Sequence, residues 1–267
     1  LEVFAVSLLP VPPPPEPPKK TVDHTIYQKR LNPSLVTHWE PTPAMAVFSK
    51  DITGHRQEEI PSCGLSELDM KSQEALGIVR EFNKGVIRSK RADVITKIER
   101  IQCPQQIIGF GQYIIQLTNR LKLEYDIYNH TNPSKTHPIP QVSLKHGWHG
   151  TSWSALPTIL GNGFSVGHTT TYVHGLGCYF AEFSDYSASF SQSKGSGDPN
   201  GLYPILYCEF ACGEGYQTSS SHKELPTKPH LGGHGQYDYF WGTQSSQTLW
   251  SLPHHGSAIP RYLVYFK

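Results

Sequence analysis

Hydrophobic residues recur along the middle of the chain with two different periods. Leu68, Leu76, Val79 and Phe82 fall at roughly helical spacing behind Ser66, a residue suited to capping, and predict a helix over 66–83. Residues 93–101 (DVITKIERI) alternate Val94, Thr96, Ile98 and Arg100 against Ile95, Lys97, Glu99 and Ile101. That two-residue period is the pattern of an edge-accessible strand. Pro104 suits a first helical turn, where its missing N–H costs nothing, and Ile107, Tyr113, Ile114, Leu117 and Leu121 predict a second helix behind it. Beyond Lys122 the texture changes to short apolar strands, such as Leu202–Phe210 and Tyr262–Phe266, set between loops rich in Gly, Ser and His. Two helices followed by many strands predict an α+β domain whose sheet carries any site.

The first quarter of the chain has no such periodicity. Residues 10–18 read PVPPPPEPP, a run that favours extended polyproline II and cannot pack a core, so it serves as a linker or a docking tract. The chain therefore divides into a proline-rich linker or arm over 1–20, an irregular segment over 21–65 and a folded domain over 66–267.

A chain of 267 residues suffices for a real core, and 37% apolar residues plus 23 glycines is a globular composition. Lys and Arg number 23 against 22 Asp and Glu, so no whole-protein field draws nucleic acid or anionic lipid. No run approaches the roughly 18 apolar residues of a spanning helix, and Leu1–Leu9 carries an acid where a signal peptide has a basic start. No membrane partner and no targeting segment are expected. The five cysteines (Cys63, Cys103, Cys178, Cys208, Cys212) include no Cys-x-x-Cys pair, which argues against a disulfide framework and a zinc module. A reducing, intracellular setting, cytoplasmic or nuclear, fits best. Cys208 and Cys212 read as small buried hydrophobes. His222, His230, His234, His254 and His255 match no metal-ligand spacing and read as solvated loop histidines.

Two stretches carry chemistry. In WHGTSWSALPTILGNGF (148–164) a His-Gly-Thr turn leads into a helix ending at Gly161 and Gly163. Gly150 there allows close approach of a ligand to the backbone, and Thr151 and Ser152 can cap or bind. In GLGCYFAEFSDYSASF (175–190) two glycines precede Tyr179 and Phe180, then Ser187 and Phe190. A dinucleotide fingerprint needs a third glycine opening a helix, so a Rossmann site is rejected.

Together, His149-Gly150-Thr151, Gly175-Leu176-Gly177-Cys178-Tyr179-Phe180-Ala181 and Ser187-Ala188-Ser189-Phe190 resemble the catalytic domain of the poly(ADP-ribose) polymerase-like ADP-ribosyltransferases of the diphtheria-toxin type. FNKGV (82–86) and ITKIERIQCPQ (95–105) extend the likeness over about residues 80–267. No segment resembles the family's helical regulatory domain, a zinc finger or a WWE module. The resemblance implies an α+β fold of two packed, mostly antiparallel sheets with flanking helices, and NAD as co-substrate. It implies that Gly150 clamps the nicotinamide carboxamide through its backbone with the Ser187 hydroxyl as second partner. Tyr179 and Phe190 sandwich the ring, His149 holds adenosine-side ribose hydroxyls with help from Thr151, and Tyr172 lines the donor cleft. Phe190 stands where many members carry tyrosine, which keeps stacking and drops a hydroxyl.

The third position of the family's triad is a glutamate in chain-elongating members. IPRYLVYF suits the family's last strand, and counting back thirteen positions from Tyr262 reaches Leu249 in TLWSL. A triad of His149, Tyr179 and Leu249 resembles the mono-ADP-ribosylating branch, because leucine can neither accept a proton nor a hydrogen bond. The expected activity is transfer of one ADP-ribose, by substrate assistance to Asp or Glu, onto a protein acceptor or the chain itself. A nucleic-acid acceptor is also compatible. The competing expectation is a catalytically silent NAD-binding or protein-interaction module of the same fold. A bulky residue at Gly150 is expected to block donor binding and leave the fold intact.

Overall fold

The computed structural model describes residues 63–168, 173–193, 198 and 200–267. The proline tract, nearly all of the irregular segment and Tyr172 lie outside the described residues. Among the described residues four α-helices and nine strands follow in chain order: β1 (Gly64–Glu67), α1 (Gln73–Ser89), β2 (Ile95–Gln102), α2 (Pro104–Thr131), β3 (Ser143–Gly150) and α3 (Leu156–Asn162). Then come β4 (Cys178–Ala181), α4 (Ser184–Ser193), β5 (Tyr203–Cys212), β6 (Gly215–Gln217), β7 (Tyr239–Gln244), β8 (Gln247–Leu252) and β9 (Ala258–Phe266). No described helix is long and apolar enough to cross a membrane.

The strands hydrogen-bond in the order β1-β2-β9-β5-β3-β4-β8-β7-β6, antiparallel except for β6 beside β7. The two sheets expected from the resemblance are the two ends of this array. They join at one registered pair, Trp148 opposite Ala181. Strand β5, between β9 and β3, has nine of its ten residues buried, so it is covered on both faces. On one face α1 and α4 pack Ile78, Phe82 and Ala188 against Trp148, Ile205, Tyr207 and Val264. On the other, Phe164, Phe180, Leu206, Cys208, Phe210 and Leu263 form a second core, and Phe110 of α2 packs on Ala211 and Ile259. Cys208 and Cys212 are buried there as free thiols.

Local chemistry explains the boundaries and corrects three expectations. Helix α1 begins at Gln73 rather than at 66, because Ser72, not Ser66, receives the Ala75 N–H on its side chain. Ser66 instead belongs to β1, which pairs with Glu99–Gln102 and so covers the end of the strand read as edge-accessible. Helix α2 starts at Pro104 as expected but continues to Thr131. The cysteine set is not wholly unbridged: Cys63 and Cys103 form a single disulfide that ties the entry of β1 to the start of α2.

Candidate active site

The end of β3 and the body of α4 are in backbone contact. A Cβ built on Gly150 would fall on the Ser187 carbonyl oxygen, 2.9 Å from the Ser187 carbonyl carbon and 3.0 Å from Phe190 Cβ. The contact is bracketed by two hydrogen bonds. The Ser187 hydroxyl donates to the Trp148 carbonyl at 2.7 Å, and the Thr151 N–H donates to the Ser191 hydroxyl at 3.2 Å. Ser187 and Ser191 lie one turn apart on α4, so both reach the same strand. Gly150 is therefore required by the helix packed on it, and any side chain at this position displaces α4. This corrects the expectation that a bulky residue there would leave the fold intact.

Tyr179 is fixed at both ends. Its hydroxyl accepts the N–H groups of Val173, His174 and Gly175 at 2.9–3.0 Å and donates to the Gly175 carbonyl at 2.8 Å. Its own carbonyl faces His149 Nδ1 at 2.8 Å. A carbonyl only accepts, so Nδ1 carries a proton and donates it to Tyr179, which fixes the orientation of the ring. The His149 ring packs edge-on to Phe164, with centroids 5.0 Å apart. Gly175 and Gly177 have packing reasons of their own. Side chains there would meet the Phe240 ring and the Leu252 backbone respectively. His174 is 3% exposed, and burial lowers its pKa.

Cross-strand pairs share a sheet face. Tyr179 opposes Ser251, Ala181 opposes Leu249, Leu249 opposes Gly242, and Gln247 opposes Gln244. Tyr179, Leu249, Ser251, Gln247 and Gln244 therefore stand on one face, and Phe180 and Trp250 point from the other into the core beside Phe210. Leu249 is 0% exposed. Helix α4 crosses the polar end of this face: the Tyr186 hydroxyl donates to Gln244 Oε1 at 3.1 Å, and Gln247 Nε2 donates to Asp185 at 3.4 Å. Asp185 is also ion-paired to Arg88 at 2.6 Å. Glu182, exposed at the end of β4, accepts the Thr248 N–H at 3.0 Å. The rings of Tyr186 and Phe190, one turn apart on α4, lie 5.1 Å apart, and Phe190 is 40% exposed.

Of the residues singled out in the sequence, His149, Gly150, Thr151, Tyr179, Ser187 and Phe190 come together where β3, β4 and α4 meet. Leu249 joins them through β8. Thr151 is buried and offers its backbone to Ser191 rather than its hydroxyl to α3, and the Ala155 N–H takes Ser152 as its cap instead. The loop histidines have separate partners: His222 meets Thr218, His230 meets Tyr125 and Glu214, and His255 meets the Phe164 carbonyl. Among the described residues, no group of three or more His, Cys, Asp or Glu could hold a metal ion. Sequence reasoning missed Ser191, Tyr186 and Gln244. The four-residue spacing from Ser187 could have found Ser191, whereas Gln244 is brought in only by the β7–β8 hairpin.

A family model described as the poly(ADP-ribose) polymerase catalytic domain matches residues 72–260. A search of curated proteins gave no match.

Proposed function

The chain belongs to the poly(ADP-ribose) polymerase catalytic-domain family, and from that premise we propose that it transfers a single ADP-ribose from NAD to acidic side chains, releasing nicotinamide. The observation that carries the single-transfer reading is Leu249. It is fully buried on the same sheet face as Tyr179 and brings no group able to take a proton from a sugar hydroxyl. Gly150 and Ser187 would hold the carboxamide. Tyr179 and Phe190 would flank the ring, and His149, its ring oriented by the Tyr179 carbonyl, would hold ribose hydroxyls of the adenosine side with help from Thr151. Because the Ser187 hydroxyl already donates to Trp148, its part toward the carboxamide is that of an acceptor.

The chemistry suits an acceptor that brings its own charge. As the C1′–N bond of the donor breaks, nicotinamide leaves as a neutral ring, taking the bonding pair that quenches its pyridinium charge. A carboxylate oxygen of the acceptor forms the new bond to C1′. No proton has to be removed from that oxygen, so positioning supplies what a general base supplies for a hydroxyl acceptor. We place the reaction inside the cell, in keeping with three of the five cysteines being buried free thiols beside the single Cys63–Cys103 bridge.

The test is intact-mass analysis after incubation with NAD and an acidic carrier protein, with and without excess nicotinamide. Single ADP-ribose increments that are suppressed by nicotinamide and cleaved by hydroxylamine, which attacks carboxyl esters, are expected. Polymer ladders would overturn the single-transfer reading, and increments on Arg, Cys or Ser would overturn the acceptor class. No increment, with NAD raising the melting temperature, would mean a silent NAD-binding module.

A further inference from the structure

We propose that the Tyr186 phenol, held by Gln244, accepts a hydrogen bond from a hydroxyl of the nicotinamide-side ribose at the end of the cleft where Leu249 offers none. The proposal rests on the NAD-binding reading above and adds a substrate contact to it. Tyr186 directly precedes Ser187 and lies one turn before Phe190 on α4, so its ring stands beside Phe190. Its hydroxyl crosses to the opposite wall and meets Gln244 Oε1. Gln244 is on the face that also carries Leu249 and Tyr179. Tyr186 thus spans, beside the Asp185–Gln247 contact, from the helix to the β7–β8 hairpin at the Leu249 end.

The geometry fixes what the phenol can do. Gln244 Oε1 can only accept, so the phenol proton is committed to it and the oxygen lone pairs stay available to a hydroxyl donor. Burial and the neighbouring Tyr179 phenol both push Tyr186 up from its ordinary pKa, so it stays neutral. A neutral phenol orients a ribose and removes no proton, which leaves donor binding supported and activation of an incoming sugar hydroxyl unsupported. The nearby carboxylates are otherwise engaged: Glu182 with the Thr248 N–H, and Asp185 with Arg88 and Gln247.

The experiment compares wild type with Tyr186→Phe, Gln244→Ala and Gln244→Glu, using calorimetric affinity for NAD and for free nicotinamide. Tyr186→Phe keeps the ring wall and removes one neutral hydrogen bond, so NAD affinity falls about fivefold while nicotinamide affinity is unchanged. Gln244→Ala lets the phenol swing and loses part of the same factor. Gln244→Glu restores it, because a carboxylate accepts the same phenol proton. The proposal is overturned if Tyr186→Phe binds NAD like wild type, or if it loses nicotinamide affinity to the same extent. It is also overturned if Gln244→Glu binds no better than Gln244→Ala. A wild-type protein that does not bind NAD at all overturns the functional reading and this contact with it. A binding wild type with an unchanged Tyr186→Phe overturns the contact alone.

Discussion

Gly150→Ala tests whether the donor site is held together by backbone contact between β3 and α4. The added methyl falls on the Ser187 carbonyl oxygen, 2.9 Å from its carbon and 3.0 Å from Phe190 Cβ, against a comfortable carbon–carbon separation of about 3.5–4.0 Å. Helix α4 must retreat by on the order of 1 Å. Such a shift stretches the Ser187–Trp148 bond from 2.7 Å, and the Thr151–Ser191 bond from 3.2 Å, beyond useful hydrogen-bond length. Overpacking of this kind costs about 1–3 kcal/mol, and each lost bond adds about 1 kcal/mol. The sum predicts a loss of about 3–5 kcal/mol in urea denaturation, with NAD affinity falling in parallel because Ser187 and Phe190 move together. Gly161→Ala is the control: a Cβ there meets nothing within 4 Å, and the position lies in α3, where alanine is the better helix former. It should be neutral or slightly stabilising. A Gly150→Ala protein with the wild-type denaturation midpoint would refute the reasoning.

Reduction of Cys63–Cys103 reopens a loop of 40 residues, which on chain entropy costs about 4 kcal/mol. A melting temperature indifferent to dithiothreitol would show that the bridge does not form in solution. Burial, with a contribution from the Arg261 guanidinium, pushes His146 down to about 4. Between the ordinary histidine value and pH 4 the unfolded chain takes up a proton that the native state refuses, so stability falls with acid across that window, by about 3 kcal/mol at its lower end. Denaturation midpoints at pH 7, 5.5 and 4.5 should converge between wild type and His146→Gln as the pH drops, and a pH-independent gap would sink the assignment. Leu249→Glu puts a carboxyl group where the side chain is fully buried. It should cost about 3 kcal/mol or more and yield no chain growth. A polymer ladder from that one change would show that the carboxylate alone was missing.

What the sequence made legible is what neighbours along the chain decide. Pro104 marks the start of α2 because the first turn tolerates proline whatever surrounds it, and the alternation of 93–101 survives as β2. The order of His149, Gly150, Tyr179, Ser187 and Phe190 was readable because it is carried in short motifs. Illegible parts depend on distant partners. Ser66 and Ser72 are equally good caps in isolation, and pairing with Glu99–Gln102 is what commits the first to a strand. The second half of α2 escaped notice because it does not bury an aliphatic stripe. Leu123 and Ile127 face solvent, while Tyr125 and Tyr128 pack on Leu231, which is more than a hundred residues away. In sequence Gly150 offers room for a ligand, whereas the first body it makes room for is α4.

That unforeseen half of α2 bears on the site through charge. Lys228 is fully buried, 2.7 Å from Glu124 of α2 and 3.2 Å from Glu214, and Arg120 of α2 is ion-paired to Asp238. Buried ions are tolerated only when they are paired and hydrogen-bonded. The chain from Glu214 to Asp238 is thus pinned to α2 at Glu214, which accepts the Tyr125 hydroxyl at 2.8 Å, at Lys228 and at Asp238. Asp238 immediately precedes β7, and its carboxylate and N–H engage the backbone of Glu214, just before β6. Strand β7 in turn carries Gly242 and Gln244 to their places opposite Leu249 and Gln247. The register of the hairpin beside Leu249 is therefore secured by an ion network on a part of α2 that lies outside every motif. A substitution at Glu124 would act on the site by letting β7 move, with every motif residue still in place.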